Sequence, residues 1–362
     1  MVYKVIGIMS GSSLDGLDIV FTELQEIAGK WNYEISYAAC LEYDTGWKQK
    51  LKEAIDMPAM GYQLLHTEYG QFIGQKINEF IEDHKLHHQA AIVSSHGHTT
   101  FHLPEKMMTH QLGDGSAIAA ETGLPVISDL RSMDIALGGQ GAPIVPMGEK
   151  LLFSNYNYFL NVGGIANISV HKENEVIAYD ICAANRILNM LAGERGLDYD
   201  DEGQISSRGK MHDGLLQELN ALEYYKLTQP KSLANSFGTD IVYPLLKSPG
   251  IPVEDALRTY TEHICVQIKD SLQSCKQDEV QKLFITGGGA FNIFLMERLQ
   301  KNLEDINFEI FIPREDIVQY KEALIMALLG VLRWREQYTV LASVTGASRN
   351  SIGGAVWLGT EA

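Results

Sequence analysis

The chain has 362 residues, 45% of them hydrophobic and 21% charged, which suits about two folded domains and excludes a disordered or fibrous chain. A formal net charge of −17 argues against nucleic acid or an anionic membrane as partner, since both reward clustered Lys and Arg. A small anionic ligand stays open, because local N–H groups and one arginine can bind it. Cys40, Cys182, Cys265 and Cys275 lack CxxC spacing and read as reduced thiols. The start MVYKVIGIMSG has no leader pattern, and the longest apolar run, Ala323–Leu332, is too short to span a bilayer. A cytoplasmic protein is expected.

In chain order, Val5–Phe21 (VIGIMSGSSLDGLDIVF) reads as a strand, a Gly/Ser turn with an aspartate, and a second strand. Glycines in such a turn let backbone N–H groups approach an anion with no Cβ in the way; a plain hairpin is the competing reading. Met60–Asp83 has helical apolar spacing. Ala90–Ser95 reads as a buried strand that delivers His96 and its neighbours to a site, and Pro125–Asp129 as a short strand ending just before Arg131. Leu137–Pro146 (LGGQGAPIVP) reads as a loop or hinge at a domain boundary. The strand–turn–strand plan returns at Tyr158–Tyr179 (YFLNVGGIANISVHKENEVIAY), and Leu283–Asn292 (LFITGGGAFN) ends a strand in three glycines. Helical spacing marks Ile187–Leu191, Tyr260–Leu272 and Ile317–Trp334. Strands alternating with helices predict α/β layers. Two related hairpins and a late glycine turn predict two lobes closing on a nucleotide. There is no GK[ST] signature, so phosphate binding would rest on backbone N–H groups rather than a P-loop lysine.

The blocks MSGSSLDGLD, SSHGHTTFH, QLGDGSAIAAETGLPVISDLRSMDIALGGQGAPIVP, LNVGGIANIS, ITGGGAFN and SVTGAS, in this order from about Ile6 to Ile352, resemble anhydro-N-acetylmuramic acid kinases. The resemblance implies an α/β, two-lobed, ribonuclease H-like fold of the actin/Hsp70/sugar kinase kind with a central interlobe cleft. It implies lobes of about 1–140 plus 320–362 and of 141–319. It also implies an ATP- and Mg²⁺-using kinase that opens 1,6-anhydro-N-acetylmuramic acid with water and phosphorylates O6 in cell-wall recycling, and a homodimer.

Carried over position by position, Gly11, Ser12, Ser13, Leu14, Asp15, Gly16, Leu17 and Asp18 match the stretch that holds the ATP phosphates. Asp15 or Asp18 would hold Mg²⁺ through water, Asp15 being preferred. Gly163, Gly164 and Asn167 match a facing phosphate turn, and Gly287, Gly288, Gly289 and Asn292 the adenosine-side turn. Thr99, Arg131 and Glu322 match polar positions of the sugar pocket; the planar fork of an arginine suits a lactyl carboxylate. Asp180, read as the end of the strand Val176–Tyr179, matches the base that deprotonates the attacking water. Its competing reading is an N-cap for a helix Ala183–Leu191.

The chain departs from the family where Ile181-Cys182-Ala183-Ala184-Asn185 replaces Thr-Gly-Pro-Gly-Asn. Ala-Ala favours an extension of the helix and predicts a differently shaped sugar pocket. His96, His98 and His102 form a second pattern, since HxxxH puts two imidazoles on one helical face. Thr99, Thr100 and Phe101 favour extended chain, so a polar loop at the sugar site is expected instead of a metal site. Two alternatives stay open: a kinase of the same fold for another anhydro or amino sugar, and a non-catalytic nucleotide or sugar sensor.

Overall fold

The computed structural model describes all residues except Ser12, Ser13, Asp15, Asn174, Pro230, Asn235, Pro249 and 360–362. The chain forms two compact units, Met1–Ser154 with Tyr320–Ala362, and Asn155–Gln319. The first holds β1 (Val2–Ser10), β2 (Gly16–Ile27), β3 (Lys30–Glu42), β4 (Ile92–Leu103), β5 (Met108–Leu112) and β6 (Val126–Ser128). The second holds β7 (Tyr158–Val162), β8 (Ile165–His171), β9 (Val176–Ala183), β10 (Gln281–Thr286) and β11 (Phe308–Phe311). The last strand, β12 (Ala355–Trp357), returns to the first sheet.

The sheets share one plan. The first runs β3-β2-β1-β4-β6-β12 with β5 attached to β4; the second runs β9-β8-β7-β10-β11. In each, the first three strands form an antiparallel meander, and the first strand also pairs in parallel with the fourth. This is the ribonuclease H-like order implied by the resemblance, present twice. The repeat is therefore a whole sheet, of which the sequence displays only the opening hairpins.

Helices cover the sheets because their apolar residues fall on one stripe. Leu65, Tyr69, Ile73, Ile77 and Phe80 of the helix Ala59–His84 join Ile6, Ile8, Leu17, Ile19 and Phe21 in the first core. In the second unit Leu257, Tyr260, Ile264, Ile268 and Leu272 of the helix Val253–Leu272 do the same against Leu160, Val162 and Ile285. The other face of the first sheet meets the helix Glu315–Trp334, along which the chain passes from one unit to the other at 319/320. A Cβ at Gly7 would lie 2.1 Å from the Ala323 carbonyl oxygen, and Ser94 Oγ donates to the Met326 carbonyl at 2.6 Å. Among the described residues no helix is long and apolar enough to cross a membrane.

The first crossing falls at 154/155, not at 140/141. The segment Leu137–Pro146 is no free linker. Asp134 Oδ2 accepts from the Gly141 N–H at 2.8 Å, Gly138 and Gly139 donate to carbonyls of the preceding turn, and Gln140 donates to the Thr345 carbonyl. The helix Val145–Leu152 that follows packs Gly148 against Ile325 of the same unit.

These contacts predict opposite outcomes for two glycine substitutions. Gly7→Ala should destabilise the protein by ~2 kcal/mol or more, since the obstacle is backbone. Gly214→Ala, where a Cβ meets nothing within 4 Å in the helix Asp213–Asn220, should be neutral or stabilising by up to ~1 kcal/mol. Urea unfolding midpoints of the two variants check this.

Candidate active site

In the second unit, β10, β7, β8 and β9 align Thr286, Asn161, Asn167 and Asp180 as successive cross-strand partners. Directly paired residues share a face, so the four make a polar row across the sheet. The row lies at the strand ends from which the glycine turns leave. Gly287 has φ +83°, and a Cβ there would come within 2.8 Å of Asn161 Oδ1 and Val162 O; a Cβ on Gly289 would meet Val162 Cγ1 at 2.3 Å. The turns 163–164 and 287–289 are thus packed side by side, and these two glycines are required by that packing.

Gly163, Gly164 and Gly288 are different. Their φ values lie outside the left-handed region, and a Cβ on any of them would find only ordinary contacts of 3.5 Å or more. Nothing in the packing of the described residues demands glycine there. Asn185 Nδ2 donates to the Val162 carbonyl at 3.0 Å; the N–H groups of Asn185 and Ala184 donate to the carbonyls of Gly163 and Gly164 at 3.0 and 2.8 Å. In a trans peptide C=O and N–H point in opposite directions. With these carbonyls turned toward the helix Asn185–Gly193, the N–H groups of Gly163 and Gly164 point away from it. Asn292 is the N-cap of the helix Ile293–Leu303, its Oδ1 accepting from Leu295 N at 2.9 Å.

Asp180 lies inside β9, which continues to Ala183, and not at a strand end. It is no helix cap either: the helix begins at Asn185 with Ala184 as N-cap. A bulge between Ala166 and Asn167 sets Asp180 opposite Asn167 and Cys182 opposite Ala166. Residues 231–233 run beside it. Asp180 N donates to Lys231 O at 3.0 Å, while Asp180 Oδ2 accepts from Leu233 N at 2.9 Å and Ser232 Oγ at 3.3 Å. Oδ1 has no hydrogen bond among the described residues. Burial raises the carboxyl above its ordinary range, and those two hydrogen bonds oppose the rise without cancelling it.

Ile181, Cys182, Ala183 and Ala184 do not extend the helix. The first three complete β9, Ala184 sits at φ −132°, ψ −106°, and all four are at most 2% exposed in the second core. Pairing with Ile165 and Ala166 overrides the helical preference of alanine. Their side chains are packed in that core.

In the first unit, β4 extends well past Ser95 because it forms a hairpin with β5. This brings Thr99 to Arg131: the guanidinium donates to Thr99 Oγ1 at 3.1 Å and to the Gly141 carbonyl at 2.7 Å, and lies 3.2 Å from His102 Nδ1. Arg131 is 8% exposed, and burial lowers it to about 10, with Asp134 opposing. Asp134 acts at one remove: buried, it accepts from Gly141 N and from Thr345 Oγ1 at 2.7 Å and so fixes the loop that meets Arg131. Sequence reasoning missed this role, although the GGQGAP and SVTGAS blocks stood out. His98 and His102, on a strand, make no helical pair. His98 Nδ1 lies 3.1 Å from Ser10 Oγ, and no group of three or more metal-ligating side chains occurs among the described residues.

Of the first turn, Ser12, Ser13 and Asp15 lie outside the described residues. Leu14 has φ 59° and donates to Gly11 O at 3.4 Å. Leu17 is fully buried in the core, so its side chain is not available to a ligand, and Gly16 is required by β3, where a Cβ would meet Leu41 O at 2.7 Å. Asp18 pairs with Met9 in the ladder. Glu322 has no hydrogen bond to Thr99 or Arg131; its carboxyl is raised by desolvation, beside the buried Lys321–Glu149 ion pair of 2.9 Å.

The repeated sheet plan is the ribonuclease H-like fold shared by sugar kinases, Hsp70 and actin. Within that class the chain belongs to the anhydro-N-acetylmuramic acid kinase family, whose model matches residues 3–359. It is a phosphotransferase. It is 32% identical over 359 residues to the anhydro-N-acetylmuramic acid kinase of Vibrio parahaemolyticus, covering 95% of each chain. It is 33% identical to that of Aliivibrio fischeri, covering 98% of this chain and 99% of the relative. The activator of the 2-hydroxyisocaproyl-CoA dehydratase from Clostridium difficile, solved with ADPNP, aligns over 93% of this chain and 96% of its own at 16% identity, TM-score 0.48.

Three histidines are held neutral by burial: His96 and His98 at about 4 and His263 at about 3, against an ordinary 6.5. Arg131 adds to the fall at His96. Folded values below unfolded ones mean that the unfolded chain binds more protons, so stability is complete above pH 6.5 and falls as pH drops toward 4. Urea midpoints between pH 7 and 4.5 should show this loss, and His98→Gln should flatten it by about one proton.

Proposed function

We propose that the protein opens the 1,6-anhydro ring of anhydro-N-acetylmuramic acid with water and transfers the γ-phosphoryl group of ATP to O6, as a step of cell-wall sugar recycling. The observation that carries this reading is Arg131. Among the described residues its buried guanidinium meets only neutral acceptors, a backbone carbonyl, a threonine hydroxyl and an imidazole. A buried cation without a carboxylate partner is costly unless an anion completes it, and the lactyl carboxylate of a muramic acid is such an anion.

Asp180 is the base. One oxygen is fixed by Leu233 N and Ser232 Oγ and the other is open to accept a proton, with an affinity that desolvation has increased. Water attacks C1 as Asp180 takes its proton; the C1–O6 bond breaks, O6 bonds to the γ-phosphorus, and ADP leaves. The outward N–H groups of Gly163 and Gly164 suit the phosphates. Mg²⁺ would supply charge neutralisation on those phosphates; Asp15 is the carboxylate proposed to hold it through water. The core position of the Ile181–Ala184 side chains supports this sugar over one that would need a differently shaped pocket.

Incubation with Mg-ATP and the anhydro sugar should give a product heavier by both water and a phosphoryl group on mass spectrometry. Phosphorylation without added water, or none, would contradict the proposal. Asp180→Asn should lower kcat by ~10²- to 10⁴-fold. Because the carboxylate is disfavoured when folded, the amide should unfold no more easily than wild type at pH 8. The acid limb of the wild-type kcat/KM profile should lie above the ordinary aspartate range.

A further inference from the structure

The helix Asn185–Gly193 opens with a cation in an unusual place. Arg186 stands in its first turn, where the helix dipole is positive and a basic residue is disfavoured. No carboxylate or other acceptor meets its guanidinium among the described residues. The side chain runs along the glycine turn of the second hairpin: its Nε is 3.9 Å from where a Cβ of Gly164 would sit, and its Cβ is 3.8 Å from that point.

The helix end is itself no anion site. The N–H groups of Ala184, Asn185 and Arg186 all donate to the carbonyls of Gly163 and Gly164, at 2.8, 3.0 and 3.4 Å. What remains open is the turn, whose N–H groups face away from the helix, and the guanidinium beside it. The turn supplies partial charges and no formal one.

We propose that Arg186 is a phosphate-binding residue of this chain, its guanidinium completing the Gly163–Gly164 turn around the phosphoryl oxygens of the nucleotide; this rests on the phosphate-turn reading above. The planar fork can give two parallel N–H···O bonds to one phosphate, which a lysine cannot. The absence of side chains at 163 and 164 gives it room to reach across. A half-buried cation that served only solubility would have no reason to sit at the positive end of a helix.

The test is calorimetric titration of the whole protein with ATP, ADP and adenosine, with no sugar present. Arg186→Ala should weaken ATP and ADP binding by ~10- to 100-fold and leave adenosine unchanged, with Arg186→Lys recovering part of the loss. Its thermal midpoint should be equal to or above wild type, because an unfavourable charge has left the helix end. Equal weakening of all three ligands, or of none, would overturn the assignment. If wild-type protein bound ADP no better than adenosine, the phosphate-turn reading would fall with it. If the nucleotide results held but no sugar were phosphorylated, Arg186 would stand and the proposed reaction would fail.

Discussion

The hydrogen bonds that the helix Asn185–Gly193 makes to the carbonyls of Val162, Gly163 and Gly164 are the constraint on which the second unit's site depends. A two-glycine turn by itself has many conformations, and nothing in its sequence decides which way its N–H groups face. Binding its carbonyls from one side decides it. The same contact fixes the helix to the hairpin, brings Arg186 beside the turn, and leaves the polar row ending in Asp180 on the neighbouring strands. The helix gains as well, since amides that would lack partners at its N-terminus find them in the turn.

The charged groups of the proposed reaction are held by neutral ones. Arg131 is met by Gly141 O, Thr99 and His102, and Asp180 by Leu233 N and Ser232. A salt bridge at either position would have been simpler for folding. It would also have quenched the charge, lowering Asp180's affinity for a proton and occupying Arg131 with a protein carboxylate. Asp134 shows how the conflict is handled: its carboxylate stays close enough to raise Arg131's affinity for its proton, yet its oxygens are committed to Gly141 N and Thr345.

Much of this was legible in the sequence because glycine chemistry is local. The strand–turn–strand plan marked both hairpins, and helical stripes such as Leu65 to Phe80 follow from spacing alone. Strand ends were less visible. β4 and β9 run on because β5 and β8 pair with them, and that pairing carries Ile181 to Ala183 into the core against alanine's preference. The segment Leu137–Pro146 looked like a linker by composition, whereas its glycines let the chain wrap closely around Asp134. Asp134 and Arg186 escaped notice for a shared reason: each acts through what lies beside it in space, and neither neighbour is near in sequence type or pattern.

The direction of the turn amides can be observed directly. In protein labelled with ¹⁵N-glycine, with the Gly163 and Gly164 resonances identified through alanine variants, ADP should shift both amide signals and adenosine should shift neither. Equal shifts with both ligands, or none with ADP, would show that these N–H groups do not face the phosphates.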